Sequence, residues 1–417
     1  MTGPARTVSF RADAGGRLAV DAGDARRLGL VPGSELRVET GEELWVARRP
    51  VHDLAKVYVE PTNRCNLTCR TCVRNAWDAP SGFMSPAVFD AVVSGIAGLP
   101  HPPTLFFGGF GEPLAHPDLL AMVGKARGAG ATVELVTNGI LLTGEVRRAF
   151  VDLGLHRLWV SLDGATPEGY QDVRLGDELP LVLENLRAFR ELRRGSPARS
   201  TRLGIVFVAM RRNVDQLPAV VRIGRELEAD RVLVTNVLPY TAELRDEALY
   251  DEAIAPGDGD TAERPALLLP RLEPSAPVRE ALGAVVLDGP VDVRSRHSAS
   301  RGRNFCPFVE AGSASVRWDG AVSPCLPLLH EHESWLGSRR RHSSPYSVGN
   351  LRERGLVELW NDPSWVELRR RVRAFDFSPC SSCNTCELAD DNRDDCSGSG
   401  LPACGGCLWA QGLVQCP

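Results

Sequence analysis

The sequence predicts an α/β protein: a partial parallel barrel preceded by a small β-rich domain and followed by a cysteine-rich module. Between residues 57 and 240, short apolar strand segments alternate with amphipathic helices, as in βα units. Glycine-rich or polar turns follow the first four of those strands. Three of the twelve cysteines lie within residues 65–72 and nine within residues 306–416, with none between Val73 and Phe305. The chain therefore has two cysteine-bearing regions separated by a cysteine-free domain.

We expect four segments within the 417 residues: a β-rich domain over 1–52, the barrel core over 53–240, a crossover or linker over 241–305, and a cysteine-rich module over 306–417. The linker is acidic and rich in proline, and it shows no repeat. In the last segment we expect a short strand at 315–318 and a helix over 356–372.

The first segment resembles the AbrB-like swapped-hairpin domain. Short strand signals flank a helical turn at 24–28, and Leu28-Gly-Leu is followed by Pro32-Gly33 and two further strands. In that family the fold dimerises and often binds DNA, so the resemblance implies a homodimer. Because this copy is not basic, we expect docking or dimerisation, and a β-rich extension packed on the core stays open.

The barrel core should contain six parallel strands, which is too few for a closed eight-stranded barrel. Chemistry is expected at the carboxyl ends of these strands. The expected strands are 57–60, 104–107, 133–137, 157–162, 203–209 and 231–237. The expected helices are 86–97, 117–129, 144–153, 179–194 and 213–228.

Charge and hydropathy exclude several classes of function. The net charge of −5 gives no basic stripe for nucleic acid, and we expect the arginine runs 339–341 and 369–371 to lie on solvated faces. No segment has the length and apolarity of a signal peptide or membrane span, so we expect a cytoplasmic protein. Cysteines in a reducing compartment bind metal more often than they form disulfides.

The first metal-binding candidate is the loop that carries Cys65, Cys69 and Cys72, directly after the first core strand. Thiolates at this spacing can surround a cubane iron–sulfur cluster and leave its fourth iron without a protein ligand. A zinc site or a redox thiol stays open as an alternative. A structural zinc would require a fourth ligand, and neither His52 nor His101 lies at ligand spacing.

The loops after the next three strands carry the motifs Gly108-Gly-Phe-Gly-Glu112-Pro113, Thr137-Asn138-Gly139 and Ser161-Leu-Asp163-Gly164. Together with the three-cysteine loop, these motifs resemble the radical S-adenosylmethionine superfamily over residues 57–240. The resemblance implies that Cys65, Cys69 and Cys72 hold a [4Fe-4S] cluster, and that the remaining motif residues bind S-adenosyl-L-methionine. An aromatic residue usually precedes the third cysteine in that family, whereas Thr71 stands here. The cofactor-binding residues are Gly108, Gly109, Gly111, Glu112 and Pro113 for the methionine amino group, the turn residues Thr137 and Asn138, and Ser161 and Asp163 for the ribose.

The family mechanism implies reductive cleavage of S-adenosylmethionine and hydrogen abstraction by the 5′-deoxyadenosyl radical. A low-potential ferredoxin or flavodoxin is the expected electron donor. No side chain is identified as a catalytic acid or base, and His116 and Tyr170 are expected to be structural.

In the cysteine-rich module, Gly320 precedes Cys325, and Gly349-Asn-Leu is followed by Leu359-Trp360-Asn361 and Arg369. This pattern resembles the SPASM extension of radical maturases, which implies one or two auxiliary iron–sulfur clusters. A cluster with zinc and a pure zinc ribbon remain alternatives. The spacing departs from the usual pattern because Cys386 follows Cys383 too closely. The expected ligands are Cys306, Cys325, Cys380, Cys383, Cys386, Cys396, Cys404, Cys407 and Cys416.

A narrower resemblance involves Glu60-Pro-Thr-Asn-Arg-Cys65, the segment from Cys69 to Asp78, and the terminal segment from Cys404 to Pro417. These look like the radical maturases associated with tungsten-dependent aldehyde ferredoxin oxidoreductases. This implies that the substrate is such an oxidoreductase-like protein or its pterin cofactor. The alternatives are a peptide-modifying radical maturase and, from another class, a metal-sensing DNA-binding regulator.

Overall fold

The computed structural model divides into two compact units, residues 1–50 and 51–417, each described here by itself. It describes residues 10–12, 18–20, 37–40, 45–48, 51–97, 99, 101–196, 201–250, 266–269, 272, 275–287, 292–295, 305–336, 338–381 and 386–417.

The described residues of the first unit form two antiparallel strand pairs. Strands β1 (Phe10–Ala12) and β2 (Leu18–Val20) form one pair, and β3 (Arg37–Thr40) and β4 (Trp45–Arg48) form the other. These strands agree with the β-rich character expected from the sequence. The helical turn at 24–28 and the Leu-Gly-Leu and Pro-Gly signals lie outside the described residues, so the swapped-hairpin interpretation stays a prediction.

Among the described residues, the second unit is organised around an eleven-stranded sheet, and nine of its strands are parallel. The strands are β5 Lys56–Val59, β6 Thr104–Phe107, β7 Thr132–Thr137, β8 Arg157–Ser161, β9 Arg202–Ala209, β10 Arg231–Asn236, β11 Ala266–Leu269, β12 Asp292–Ser295, β13 Ser313–Val316, β14 Ala321–Ser323 and β17 Gly349–Asn350. Their order in the sheet is β12-β11-β10-β9-β8-β7-β6-β5-β13-β14-β17, and the two described ends are unpaired, so the sheet stays open and does not close into a barrel. Strands β15 (His332–Leu336) and β16 (Arg339–Ser343) form a separate antiparallel pair.

Helices follow the strands as right-handed βα connections require. Proline and threonine at several first turns explain where these helices begin, for example at Pro167, where the Thr166 side chain accepts from Gly169 N–H. The helices are Pro86–Ala97, Leu119–Gly128, Gly144–Asp152, Pro167–Arg174, Leu179–Gly195, Leu217–Glu226, Ala242–Asp246, Ala276–Leu287, Pro307–Glu310, Leu356–Trp360 and Pro363–Ala374.

The two faces of the sheet enter different apolar clusters, because neighbouring strand residues point to opposite faces. Leu105 and Phe107 of β6 pack in the outer cluster with the helices, whereas Phe106 between them joins an inner cluster. Full burial of one such side chain stabilises the fold by about 1.5–3 kcal/mol.

The inner, concave face of the sheet is filled by the last residues of the chain. Leu408, Leu413 and Val414 pack in the inner cluster. The Asn236 side-chain amide donates to Leu413 O at 2.7 Å, which fixes this segment at the end of β10. The C-terminal module is therefore integrated with the core, in agreement with the single compact unit over 51–417.

The structure differs from the sequence-based expectation in the segment 241–305. Two strands in this segment, β11 and β12, extend the parallel sheet. The helix Ala276–Leu287 lies between them in the sequence. The acidic and proline-rich composition of the segment concealed the short apolar run of β11.

The expectation that both arginine runs are solvated is wrong for two residues. Arg341 is 5% exposed and Arg369 is 1% exposed. Arg369 donates to Val51 O and Trp360 O at 2.7 Å each, and its guanidinium lies 3.7 Å from the centre of the Trp360 ring. These contacts replace the water that a buried guanidinium loses.

Among the described residues, no helix combines the length and the apolarity that crossing a bilayer demands.

Candidate functional site

The three-cysteine loop begins directly after β5 and is braced against the segment that follows it. The Thr62 hydroxyl donates to Gly82 O at 2.6 Å, and the Asn63 side chain bonds both Gly82 N–H and Pro80 O. Cys69 is buried, while Cys65 and Cys72 are half-buried. Burial raises the pKa of the Cys65 and Cys72 thiols, and the Cys69 thiol adds to this effect at both. The Cys69 thiol therefore lies close enough to Cys65 and Cys72 to act on both electrostatically.

The glycine-rich loop 108–113, after β6, packs directly on the backbone of the cysteine loop. A Cβ at Gly111 would lie 2.2 Å from Thr62 O and 2.6 Å from Arg64 O, so only glycine fits. Gly109 adopts φ +111°, in the region that favours glycine. Glu112 N–H donates to Arg64 O at 2.8 Å. The two predicted loops are thus in contact.

The buried side chain of Glu112 joins three loops. One carboxylate oxygen accepts from the Thr137 hydroxyl at 2.7 Å and from Leu114 N–H at 3.0 Å, and the other accepts from Asn138 N–H at 2.8 Å. Burial raises the pKa of Glu112, and these three donors oppose the rise. The Asn138 side chain in turn donates to Asn66 Oδ1 at 2.8 Å, beside Cys65.

Asp163 reaches the cysteine loop through Arg174. It is fully buried, accepts from Val208 N–H at 2.8 Å, and lies 2.7 Å from an Arg174 guanidinium nitrogen. Another nitrogen of Arg174 donates to Cys69 Sγ at 3.6 Å. Both Asp163 oxygens are occupied within the protein, whereas Ser161 is half-exposed at the end of β8.

A buried carboxylate connects the core to the C-terminal module. Glu60, after β5, contacts His330 Nε2 at 2.8 and 3.1 Å and accepts from Phe110 N–H at 3.3 Å. The His330 ring stacks on Trp77, with 4.3 Å between the ring centres. This contact joins the glycine-rich loop to the segment after Cys325.

His116 and Tyr170, which we expect from the sequence to be structural, are both buried. His116 Nε2 contacts Met84 O at 3.0 Å, and its Nδ1 accepts from Asp118 N–H at 3.1 Å. Tyr170 is fully buried in the outer cluster, and burial raises its pKa to about 12.

Four C-terminal cysteines, from three separate segments, line one cavity. Cys306 precedes a short helix, Cys325 follows β14, and Cys404 and Cys407 lie in the terminal segment. Burial raises the pKa of Cys306 to about 12 and the pKa of Cys325 and Cys404 well above the usual range. At that cavity the four thiols act on one another electrostatically.

The same cavity offers donors suited to sulfur and to an anion. The backbone N–H groups of Val309 and Ala410 lower the pKa of the Cys306 and Cys407 thiols, against the effect of burial. The indole N–H of Trp409, which lines the cavity, is buried and has no hydrogen-bond partner among the described residues. A four-thiolate set with N–H donors fits an iron–sulfur cluster.

A second set of cysteines lies nearby. Cys380 is buried, and its pKa is raised by burial, by Asp395 and by the thiols of Cys396 and Cys386. Cys383 lies outside the described residues. Cys416 is half-buried against the inner apolar cluster and is not among the residues that line the four-cysteine cavity. Among the described residues, no three His, Cys, Asp or Glu side chains are grouped as ligands of one metal ion.

Sequence reasoning missed Arg174, His330 and Arg341. Arg174 stands eleven positions after Asp163 on the helix Pro167–Arg174, and no short motif contains both. His330 meets Glu60 across 270 positions of sequence. Arg341 belongs to a basic run, and only the alternation of a strand would have indicated that one of its members is buried.

Comparisons with known proteins agree with this geometry. Residues 59–207 match the Radical SAM superfamily model, and residues 306–387 match SPASM, an iron-sulfur cluster-binding domain. The chain is 28% identical over 365 residues to a tungsten-containing aldehyde ferredoxin oxidoreductase cofactor-modifying protein of Pyrococcus furiosus, covering 87% of this chain and 96% of that one.

Two further relatives are similar over part of the chain or in fold. A PqqA peptide cyclase of Streptomyces rochei is 32% identical over 200 residues, covering 46% of this chain and 51% of that one. The fold resembles the crystal structure of Streptococcus suis SuiB bound to precursor peptide SuiA, with a TM-score of 0.53, 15% identity, and coverage of 80% of this chain and 70% of that one.

Proposed function

Since the chain belongs to the radical SAM superfamily and carries a SPASM domain, we propose that it matures a tungsten-dependent aldehyde ferredoxin oxidoreductase. Its substrate would be the oxidoreductase-like protein or the tungstopterin cofactor of that protein. One observation carries this proposal: the similarity to the Pyrococcus furiosus cofactor-modifying protein extends over 96% of that protein, through the core and the C-terminal module.

The [4Fe-4S] cluster that the superfamily domain implies is assigned to Cys65, Cys69 and Cys72. The three thiols lie in one loop, and the glycine-rich loop packs beside them. The donation from Arg174 to Cys69 Sγ supports the assignment, because a guanidinium at a sulfur stabilises the thiolate that binds iron.

S-adenosylmethionine is assigned to the surface formed by Gly108, Gly109, Gly111, Pro113 and Ser161. Glu112, Thr137 and Asn138 would hold this surface in shape, because their polar groups bond one another and the cysteine loop. Asp163 is assigned a different role from the ribose contact expected from sequence: it orients Arg174 toward Cys69.

When bound, the cluster and S-adenosylmethionine supply a 5′-deoxyadenosyl radical that takes a hydrogen atom from the substrate. The protein's own groups position the reactants and exclude water. Glu60 and His330 fasten the glycine-rich loop to the C-terminal module. No described side chain is assigned as a catalytic acid or base.

The SPASM domain implies auxiliary clusters, and two ligand sets are proposed for them. Cys306, Cys325, Cys404 and Cys407 form the first set because they line one cavity. The second set contains Cys380, Cys386 and Cys396, whose thiols act on one another, together with Cys383. Cys416 is left outside both sets.

A second candidate function is peptide modification. The match to the PqqA peptide cyclase favours it, although that match covers about half of each chain. The regulator hypothesis receives no support from the comparisons, whereas the enzyme class does. A low-potential ferredoxin or flavodoxin as electron donor and a homodimer through the N-terminal unit remain proposals.

The test compares substrates on anaerobically reconstituted enzyme. Dithionite and S-adenosylmethionine are added with an immature aldehyde oxidoreductase, with isolated tungstopterin, or with a precursor peptide, and 5′-deoxyadenosine is quantified beside the mass of each candidate. Substrate-dependent 5′-deoxyadenosine and a mass change in the oxidoreductase or pterin arm support the proposal.

The same changes in the peptide arm alone would overturn it in favour of peptide modification. Cys69→Ala enzyme serves as the matched control, because it lacks one proposed iron ligand and should change no candidate.

A further inference from the structure

A buried arginine lies between the two sets of C-terminal cysteines. Arg341 is in β16, opposite Ser334 of β15, and it lines the four-cysteine cavity. Its guanidinium donates to Ala389 O at 3.0 Å and to Ala403 O at 3.2 Å. Within the part of the chain that the structure describes, no carboxylate lies at ion-pair distance from it.

A buried cation with carbonyl partners alone is costly, since carbonyl dipoles do not cancel its charge. The neighbouring groups that can become anionic are three thiols and, with a smaller effect, the carboxylate of Asp391. Cys407, Cys380 and Cys404, in that order, have the largest favourable electrostatic effects on Arg341. Cys404 and Cys407 belong to the first proposed ligand set and Cys380 to the second. The guanidinium therefore interacts electrostatically with thiols of both sets.

The Cys404-Gly-Gly-Cys407 loop is shaped around this guanidinium. A Cβ at Gly406 would lie 2.1 Å from an Arg341 nitrogen, and a Cβ at Gly405 would lie 1.9 Å from Ser378 O. Any larger residue at Gly406 would push the guanidinium away from the two cysteines. The paired glycines of the motif therefore have a physical reason that ligand spacing does not supply.

We propose that Arg341 is the counter-charge of an auxiliary cluster held by Cys306, Cys325, Cys404 and Cys407, and that it sets the reduction potential of that cluster. This inference rests on the proposed ligand set. A cubane cluster with four thiolates is a net anion, and one-electron reduction adds a negative charge. A fixed cation in a medium of low dielectric stabilises the reduced form more, and so raises the potential.

The adjacent residue Arg340 provides a matched control. It lies on the same strand, but its side chain is 61% exposed and pairs with Glu333 on the surface. Water screens that charge, so its removal should leave the potential unchanged. Arg341→Met and Arg340→Met thus remove the same charge from opposite faces of β16.

The experiment is an EPR-monitored redox titration of reconstituted full-length enzyme, with iron analysis, for wild type, Arg341→Met, Arg341→Lys and Arg340→Met. Subtraction of the Cys404→Ala spectrum identifies the signal of this cluster. In Arg341→Met we expect the midpoint to fall by at least a tenfold change in the reduction equilibrium, about 59 mV for a one-electron couple. Arg341→Lys and Arg340→Met should stay near wild type.

An unchanged midpoint in Arg341→Met with full iron content would overturn the inference, as would an equal fall in Arg341→Lys. If Arg341→Met cannot retain the cluster, retention in Arg341→Lys supports the role of charge, and loss in both variants overturns it. The proposed function is judged separately. Full iron in Cys404→Ala would refute the ligand set, and wild-type enzyme without 5′-deoxyadenosine formation would refute the radical chemistry.

Discussion

The three-cysteine loop and the four-cysteine cavity bring their thiols together in different ways. Cys65, Cys69 and Cys72 lie within eight consecutive residues, next to loops that can receive a small molecule. Cys306, Cys325, Cys404 and Cys407 come from three segments separated by up to 101 positions of sequence and line one cavity. Three ligands leave an iron free for chemistry, whereas four close the coordination, so the first region is suited to reaction and the second to electron storage or transfer.

The arginines beside the two regions also differ, because one of them pairs directly with a carboxylate and the other does not. Arg174 donates to Cys69 but is neutralised by Asp163 at 2.7 Å. Among the described residues, Arg341 donates to carbonyl oxygens and has no carboxylate at ion-pair distance, and its electrostatic neighbours are three thiols and, more weakly, Asp391. The charge of Arg174 is therefore balanced by a direct ion pair before any cofactor binds, whereas that of Arg341 is not.

The largest expected effect is the loss of 5′-deoxyadenosine formation on a change in the three-cysteine loop. Cys69→Ala should abolish 5′-deoxyadenosine formation and remove about four iron atoms per chain, because a cubane with two protein ligands is not retained. The auxiliary signals should remain in the EPR spectrum. If 5′-deoxyadenosine still forms at the wild-type rate, the reactive site lies elsewhere.

A change in the other region, Cys404→Ala, should affect the cluster at the four-cysteine cavity alone. Cys404→Ala should lose about four iron atoms while the enzyme keeps the EPR shift that S-adenosylmethionine induces, since that cofactor binds at the other region. Cys396→Ala should remove a different signal. The two-set assignment fails if both variants lose the same cluster.

Removal of Arg174, which pairs with Asp163 beside the three-cysteine loop, should lower the stability of the protein. Arg174→Gln leaves Asp163 buried without its partner, which is expected to lower the free energy of unfolding by about 3–5 kcal/mol. Urea unfolding measures this loss. Asp163→Asn added to Arg174→Gln should recover part of the stability, and strict additivity of the two changes would contradict a direct pair.

Adding a methyl group beside Arg341, at the four-cysteine cavity, should have a smaller effect on stability. Gly406→Ala brings a Cβ into the space of Arg341 and is expected to destabilise the protein by about 1–3 kcal/mol. Thermal unfolding of the reconstituted protein measures this. Gly355→Ala, where a Cβ would meet no atom within 4 Å, is the control and should be neutral.

The smallest expected effect concerns the contact that joins the two regions. Glu60→Ala leaves Phe110 N–H and His330 without their acceptor, a cost of about 1–3 kcal/mol, so S-adenosylmethionine should bind about tenfold more weakly. Isothermal titration calorimetry measures the affinity. Glu331→Ala removes an exposed neighbour and should not change it; equal effects would show that Glu60 does not position the loop.

The sequence alone determined the elements in which local chemistry is decisive. The period of apolar residues predicted the six core strands and five of the helices between them, because strand and helix periods can be read from consecutive residues. The short helix Pro167–Arg174 was not predicted. Cys65, Cys69 and Cys72 and the loops after β6, β7 and β8 were predicted in order, since parallel strands bring their carboxyl ends to one edge.

Only the tertiary structure decided which distant groups meet. The Glu60 and His330 pair, the Asp163, Arg174 and Cys69 chain, and the concave face filled by residues 408–414 join segments with no shared period. The run Arg339–Ser343 shows the reason most simply: consecutive residues of one charge become a surface ion pair at Arg340 and a buried cation at Arg341. The sequence shows that these residues are charged. Which of them is buried depends on the strand, because neighbouring side chains of a strand point to opposite faces.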